Sequence, residues 1–265
     1  MKVLFLGDVF GNPGRSCLKK ELPLLLEKYE PHIVIANGEN ASGGIGINPG
    51  SADFLFSIGV DVLTSGNHIY KKRDIYDYIK NVPRLLKPAN FPPDTPGNGY
   101  FIFQNQKMGG KKVAVVNICG RVFIENLDCP FRKIDELLFA IYRETNIVIV
   151  DFHAEATSEK MAMGWYLDGR VSAVIGTHTH VQTADERILS KHTAFISDAG
   201  MVGPRDSVIG VKKEPIIERF LKMMPQKFVV ATEDNWLNGV IVDIDEASGW
   251  AKSIVRLNYQ VDLNT

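Results

Sequence analysis

Five short, mostly apolar runs of strand length recur along the chain, and polar residues follow each of them. They cover residues 3–6, 33–36, 60–63, 147–150 and 171–175. Residues 15–29 carry an apolar stripe at helical spacing. Further helices are expected near 50–58, 71–80, 133–143, 158–165 and 214–222. Because strands and helices alternate in this way in parallel sheets with crossover helices, the sequence predicts an α/β fold.

Other strand-like segments lie outside this alternation. Segments 99–104 and 111–118, joined by a Gly-Gly turn, predict a hairpin or a sheet edge, and a short strand is expected near 84–86. Four segments towards the C-terminal end, 193–197, 227–231, 236–244 and 251–259, predict a second sheet packed on the first. Since no repeat or linker composition interrupts the chain, residues 1–265 are predicted to form a single domain.

The composition narrows the expected partners and compartment. A net charge of -1 provides no basic excess for duplex DNA, so none is expected as a partner. Residues 1–8 lack the pattern of a signal peptide, and no apolar segment approaches the ~20 residues that span a bilayer. Three cysteines without Cys-x-x-Cys spacing disfavour a disulfide framework or a thiolate zinc site. We therefore expect a cytoplasmic protein without a membrane partner. The sequence leaves open whether the protein forms a homo-oligomer.

The polar residues that follow the apolar runs are carboxylates, amides and imidazoles. They are Asp8, Glu39, Asn40, Asn67, His68, His153, His178 and His180. Ligands of open α/β sheets bind beyond the carboxyl ends of the strands, so these residues are expected to converge. Oxygen and nitrogen ligands without sulfur suit iron, manganese or zinc. Two acids and three histidines exceed what one catalytic ion requires, so we expect two ions that share a bridging carboxylate.

Each candidate ligand also has a simpler interpretation. The two histidines of Gly176-Thr177-His178-Thr179-His180 would project to one side of an extended backbone, but they could equally be partly buried and bonded to the main chain. Asp8 could cap a helix, Asn40 and Asn67 could occupy turns, and His153 could be hydrogen-bonded beside a helix start. The occurrence of such residues at all five strand ends favours one joint metal site over five separate structural roles.

In order, the motifs resemble the blocks of the calcineurin-like metallophosphoesterases. The matching residues are Gly7-Asp8, Gly38-Glu39-Asn40, Gly66-Asn67-His68, His153 and Gly176-Thr177-His178-Thr179-His180. The chain is most similar to the YmdB-like branch, through longer blocks at 37–40, 88–91, 151–160 and 176–185. The resemblance implies a two-sheet α/β/β/α sandwich with a di-metal site. It also implies two divalent or trivalent transition-metal ions, for which iron or manganese is preferred and zinc is the alternative.

The resemblance further implies which residues hold each ion. One ion would take Asp8, Glu39, Asn40 and His180, and the other would take Glu39, Asn67, His153 and His178, so that Glu39 bridges them. Phe10 stands where the wider superfamily has a histidine ligand, and Glu39 replaces the usual aspartate. We interpret Asn40 as the compensating ligand.

The implied activity is hydrolysis of cyclic nucleotides, 2′,3′- or 3′,5′-cyclic, or of related phosphodiesters. A hydroxide bridging the two ions is expected to attack phosphorus in line. His68 is expected to assist the leaving oxygen, because imidazole titrates near working pH; the alternative is a histidine that orients Asn67. Asn12 and Asn90 are candidate substrate contacts, and Arg15 and residues 43–46 are candidates for the pocket rim; ordinary turn chemistry is the alternative for all of them.

Two other functions stay open on the sequence. A phosphomonoesterase or nucleotidase would use the same metal site, because discrimination between monoester and diester depends on loops. A regulatory scaffold that keeps the fold and works mainly through a partner is favoured by Phe10 at a ligand position. A dinucleotide-binding module is excluded, since residues 7–12 do not supply the G-x-G-x-x-G pattern.

Overall fold

The computed structural model describes residues 1–263 and contains two β-sheets packed face to face, with helices on both outer sides. In these residues the first sheet has seven strands: β1 (Lys2–Leu6), β2 (Asp8–Val9), β3 (Ile33–Asn37), β4 (Val62–Thr64), β11 (Met201–Pro204), β12 (Asn235–Ile244) and β13 (Ala251–Gln260). The second has six: β5 (Tyr100–Phe103), β6 (Val113–Cys119), β7 (Val148–His153), β8 (Ala173–Thr177), β9 (Arg187–Ile188) and β10 (Ala194–Ile196). The helices are α1 (Gly11–Tyr29), α2 (Pro49–Ser57), α3 (Ile75–Asn81), α4 (Pro130–Ile141), α5 (Thr157–Leu167) and α6 (Lys213–Lys222).

The pairing brings the carboxyl ends of several strands to one place in each sheet. In the first sheet β1, β3 and β4 are parallel, and β12 runs antiparallel to β1, β11 and β13. In the second sheet β6, β7, β8 and β10 are parallel, while β5 and β9 pair antiparallel at the two edges. The hairpin predicted for residues 99–118 is therefore confirmed as a sheet edge.

The inner strands are buried on both faces, which explains why their sequences are continuous apolar runs. In β1, Leu4 belongs to the outer core with Leu22 of α1, whereas Phe5 belongs to the core between the sheets with Val115 and Ile149. A third core packs the second sheet against α4 and α5. The predicted α/β/β/α sandwich is confirmed.

The structure corrects the origin of the second sheet. The segments 236–244 and 251–259 were expected to build it, but as β12 and β13 they extend the first sheet, where β12 pairs with β1 between Gly239 and Asp243. The second sheet comes from the middle of the chain, β5 to β10. Apolar alternation indicates that a segment is a strand, but the choice of partner edge depends on tertiary packing.

Smaller differences concern element ends. Helix α1 begins at Gly11 and not near residue 15, because Pro13 is accommodated in its first turn. The strands predicted at 84–86 and 227–231 form only isolated bridges. The short β9 and β11 were not predicted. None of the helices in residues 1–263 is both long and apolar enough to cross a membrane. The single-domain assignment and the cytoplasmic location stay predictions.

Candidate metal centre

The carboxyl ends of strands from both sheets meet at one buried cluster of polar side chains. It contains the eight residues singled out from the sequence, namely Asp8, Glu39, Asn40, Asn67, His68, His153, His178 and His180. The first five follow β1, β3 and β4 of the first sheet, and the other three lie at the end of β7 or after β8 of the second. The site is therefore assembled by the packing of one sheet on the other.

Glu39 lies at the centre of this cluster. Two groups of side chains have their possible ligand atoms within 4.8 Å of one another: Glu39 with His153 and His178, and Asp8 with Glu39 and His180. Glu39 belongs to both groups. A carboxylate has two oxygens and several lone pairs, so one group can serve two neighbouring cations.

The surroundings of Glu39 favour its ionised form. Its Oε1 accepts a hydrogen bond from the Asn40 amide (2.9 Å), its Oε2 accepts one from the His68 backbone N–H (3.1 Å), and Oε2 lies 3.3 Å from Nε2 of His153. Burial alone would raise the pKa of Glu39, but the attraction of His153 and His68 outweighs it and holds that pKa well below the usual value.

Asp8 carries the clearest indication of a cation site. Its Oδ2 accepts a hydrogen bond from the His178 backbone N–H (3.2 Å). Its Oδ1 is buried, has no hydrogen-bond partner within residues 1–263, and lies 3.9 Å from Nε2 of His180. Burial raises the pKa of Asp8 well above its usual value. The neighbouring Glu39 carboxylate also raises this pKa, whereas His153 lowers it. An orphaned buried acceptor is costly, and a bound cation would satisfy it.

His153 is oriented by hydrogen bonds from behind. The Thr177 hydroxyl donates to Oδ1 of Asp151 (2.6 Å), so the 2.9 Å contact between Thr177 Oγ1 and His153 Nδ1 has the ring N–H as donor. This leaves Nε2 facing Glu39 and, at 3.2 Å, Oδ1 of Asn67. Burial would lower the pKa of His153, but the neighbouring carboxylates, Glu39 foremost, raise it to about 9.

The two histidines after β8 do not lie on an extended strand, so that expectation was wrong. The strand ends at Thr177, and His178 and His180 have φ angles of 101° and 66°. Residues other than glycine rarely adopt positive φ angles, and they do so where surrounding contacts enforce this backbone conformation. The turn points the rings at different partners: His178 Nδ1 lies 3.0 Å from His153 Nε2, and His180 Nε2 lies 3.2 Å from the Asn40 amide.

A buried ion pair anchors this turn. Asp198 accepts hydrogen bonds from the backbone N–H (3.1 Å) and hydroxyl (2.7 Å) of Thr179, and its Oδ2 lies 2.6 Å from Nζ of Lys160. The side chains of Lys160 and Asp198 are 3% and 1% exposed. His180 is fixed separately, through Nδ1 at 2.9 Å from the Ile209 carbonyl. Burial lowers the pKa of both histidines, that of His178 to about 3 with a contribution from His153.

The amide side chains differ in orientation. Asn67 has its oxygen towards His153. Asn40 has its nitrogen towards Glu39 and His180, while its oxygen lies 2.9 Å from Nδ1 of His68. A metal ligand must offer the amide oxygen, so binding by Asn40 would require a half-turn of its amide group.

Gly66 makes the close approach of the two sheets possible. A Cβ atom at this position would overlap Nε2 of His153 and Oε2 of Glu39. Any larger residue would therefore separate two of the candidate ligands, which gives the Gly in Gly66-Asn67-His68 a steric reason.

Asn12 and Asn90, the predicted substrate contacts, do not belong to the cluster of candidate ligands. Asn12 is exposed at the start of α1 and accepts a hydrogen bond from Arg15, whose guanidinium also donates to the Ala41 carbonyl. Asn90 is fully buried, and its amide bonds the backbone of Cys119 and Asp128. Both amide hydrogens of Asn90 are thus occupied, which gives it a structural role in place of the substrate contact predicted from its position.

A cavity of about 500 Å³ opens beside the cluster. Five of the candidate site residues line it: Glu39, Asn40, His68, His178 and His180. Gly43 and Gly44, from the segment predicted to shape the rim, also line it, as does Phe10. Phe10 is the residue that the sequence resemblance sets at the position of a histidine ligand in the wider superfamily. Its ring packs edge-on against His180, 5.4 Å between centroids, and fills the space that side chains at Gly44 and Gly210 would need.

Several residues of the site were not predicted from the sequence. They are Asn37, Asp151, Thr177, Lys160 and Asp198, which support the ligands, and Glu155, whose carboxylate lies 3.3 Å from Nε2 of His178. Asp151 and Thr177 are polar residues inside buried strands, and that pattern was a usable indication. Lys160 lies in the block 151–160 that resembles the family, but the block gave no role for it, and nothing in the sequence marked Asp198.

The family assignment follows from this geometry together with the match to known proteins. The family model described as YmdB-like protein matches residues 4–257. The chain belongs to the YmdB-like family. A relative from Bacillus subtilis (strain 168), named 2′,3′-cyclic-nucleotide 2′-phosphodiesterase, is 50% identical over 257 residues, 97% of this chain and 96% of that protein.

Two solved structures are similar to this YmdB-like chain, each with a TM-score of 0.91. One is a protein of Thermus thermophilus described as hypothetical, with 39% identity, and the match covers 98% of this chain and 99% of that one. The other is a phosphatase from Mycoplasma pneumoniae, with 35% identity, covering 98% of this chain and 93% of that one. The resemblance to the YmdB-like family drawn from the sequence motifs is thereby confirmed.

Proposed function

We propose that this chain is a metal-dependent phosphodiesterase that hydrolyses 2′,3′-cyclic nucleotides. The observation that carries the proposal is the position of Glu39, a fully buried carboxylate shared by two groups of possible metal ligands beside an open cavity. The activity stated in the name of the Bacillus subtilis relative supports the choice of substrate. Water would add to phosphorus, the bond to the 2′ oxygen would break, and the product would be a nucleoside 3′-phosphate.

The residues present fit two transition-metal ions, because the ligands offer oxygen and nitrogen atoms and the buried Oδ1 of Asp8 is orphaned among residues 1–263. One ion would be held by Asp8, Glu39, Asn40 and His180, and the other by Glu39, Asn67, His153 and His178. We favour iron or manganese, with zinc as the alternative. When bound, such a pair supplies a water of lowered pKa and neutralises charge on the phosphoryl oxygens.

His68 is proposed to give a proton to the departing 2′ oxygen. The ring is 28% exposed and lines the cavity. Its Nδ1 lies 2.9 Å from the Asn40 amide. With that amide turned so that its oxygen faces the metal, the amide N–H would donate to Nδ1 of His68 and leave the Nε2–H of His68 for the substrate. Because His68 is not itself among the proposed ligands, its function is separable from metal binding.

A phosphomonoesterase or nucleotidase is the second candidate, since the similar Mycoplasma pneumoniae structure is described as a phosphatase. A regulatory scaffold is disfavoured, because a protein without a cation would leave Oδ1 of Asp8 buried and without a hydrogen-bond partner among residues 1–263. A homo-oligomeric state stays a prediction.

The test is turnover by metal-loaded protein of adenosine 2′,3′-cyclic monophosphate, adenosine 3′,5′-cyclic monophosphate and p-nitrophenyl phosphate, with Glu39→Gln as the control of matched shape. We expect the 2′,3′-cyclic nucleotide to be cleaved fastest, with adenosine 3′-monophosphate as the product, and Glu39→Gln to be inactive. Cleavage of the monoester alone would identify a nucleotidase or phosphatase. Metal-loaded protein that cleaves none of the three would favour the scaffold.

A further inference from the structure

The cavity beside the metal centre has an apolar part that phosphate binding does not require. We call it the apolar lining, and it consists of Phe10, Ile45, Ile209, Val211, Phe228 and Val230. Three of these side chains are strongly exposed to solvent for apolar residues: Ile45 at 41%, Ile209 at 52% and Phe228 at 55%. Exposed apolar surface that adjoins a catalytic centre is typical of a ligand-binding site.

The apolar lining is held in place by the backbone on which it is built. Val211 and Val230 form an isolated β-bridge, the Lys212 N–H donates to the Val229 carbonyl (2.9 Å), and the Ala231 N–H donates to the Gly210 carbonyl (2.9 Å). Segment 209–212 is thus tied to segment 228–231, and residues of both line the cavity. The same segment carries the Ile209 carbonyl that fixes His180. The apolar lining and the metal ligands are therefore parts of one preformed site.

Phe228 is the aromatic member of the apolar lining with an accessible ring. Phe10 is also aromatic, but it is 3% exposed and packs against His180. The guanidinium of Arg219 lies over the Phe228 ring, 5.3 Å from its centroid. An exposed ring supported in this way suits stacking with a flat partner.

We infer that the apolar lining is a nucleobase subsite in which Phe228 stacks on the base of the bound nucleotide. This inference rests on the proposed function, which places a cyclic phosphate at the metal ligands. In a 2′,3′-cyclic nucleotide the base is attached to the same ribose as the phosphate, so it must lie close to the metal centre. A cavity of about 500 Å³ is of the size that holds one small organic ligand.

The chemistry of the apolar lining also determines what it can distinguish. Its six side chains carry no hydrogen-bonding group, and stacking accepts every base because each has a π face. The subsite should therefore accept all four nucleosides and select nucleotides against phosphate esters that lack a base.

The test compares binding of adenosine 3′-monophosphate and of inorganic phosphate to metal-loaded protein by titration calorimetry. We expect Phe228→Ala to weaken nucleotide binding about 5- to 150-fold and to leave phosphate binding unchanged. Phe228→Trp should retain nucleotide binding. Phe139→Ala is the matched control, because Phe139 is 70% exposed on α4 and does not line the cavity.

Equal losses for phosphate and nucleotide, or no loss in Phe228→Ala, would overturn the subsite. Because binding is measured without turnover, the two proposals fail separately. Binding that depends on Phe228 in a protein that cleaves no cyclic nucleotide would refute the function and keep the subsite. If cyclic nucleotides are cleaved and nucleotide binding is the same in Phe228→Ala as in the wild type, the function is kept and the subsite is refuted.

Discussion

The hydroxyl of Thr177 lies 2.9 Å from Nδ1 of His153 and links that ring to the buried carboxylate of Asp151, behind the candidate metal centre. All three side chains, Thr177, His153 and Asp151, are fully buried. Supporting hydrogen bonds of this kind fix which ring nitrogen faces a metal.

We expect Thr177→Val to weaken metal binding by roughly 10- to 100-fold, because the valine has a similar shape but cannot bond His153. Titration of metal-free protein with Mn²⁺ would measure the affinity, and far-UV circular dichroism would check the fold. Thr177→Ser keeps the hydroxyl and should bind metal like the wild type. An unchanged affinity in Thr177→Val would show that the link does not orient the ligand.

The ion pair between Lys160 and Asp198 should contribute strongly to stability. Removing one partner of a buried pair leaves an uncompensated charge, so Lys160→Ala is expected to lower the free energy of unfolding by about 3–5 kcal/mol. Urea denaturation measures this. Lys80→Ala is the matched control, since Lys80 pairs with Asp77 at 2.8 Å on the surface, where solvent screens the pair and it contributes little to stability. Equal effects of the two substitutions would contradict the anchoring role of Lys160.

His68→Ala should separate chemistry from metal binding. Because His68 is proposed to donate a proton and not to hold an ion, we expect the variant to retain its metal and lose roughly 10²–10⁴ in kcat. Metal analysis and initial rates on a 2′,3′-cyclic nucleotide give both quantities from one preparation. Loss of metal from the variant would instead make His68 part of the ligand support.

Removing the metal should destabilise the fold. The cluster buries Asp8 and Glu39 together, and a ligand that binds only the folded state stabilises it by about 2.7 kcal/mol at 100 times its Kd. We expect Mn²⁺ at that concentration to raise Tm by roughly 5–10 °C over chelator-treated protein. Thermal unfolding with and without chelator measures the difference, and an unchanged Tm would contradict the metal assignment.

The buried strands and the polar residues that follow them could be predicted from the sequence, because both depend on local pattern. The apolar runs around Phe5 and Ile149 are buried on both faces. The residues that follow such runs lie at the carboxyl ends of the strands, where ligands of open α/β sheets bind. Side-chain type at these positions was therefore sufficient to find Glu39 and His153.

What the sequence did not predict depends on contacts between distant segments. The pairing of β12 with β1, the left-handed turn at His178 and the Lys160–Asp198 pair each require the folded surroundings. Asn90 illustrates the converse. Its position in a motif suggested a substrate contact, yet its amide serves the backbone of Cys119 and Asp128.

The central claim is that one buried carboxylate, Glu39, serves two cations. The most direct measurement is the metal content of reconstituted protein, determined by mass spectrometry, for the wild type, Asp8→Asn and Glu39→Gln. We expect about two ions per chain in the wild type, as two-metal hydrolase sites hold, about one in Asp8→Asn, and fewer than one in Glu39→Gln, because both sites lose their shared charge. Two ions retained in Glu39→Gln, or none in the wild type, would contradict the claim.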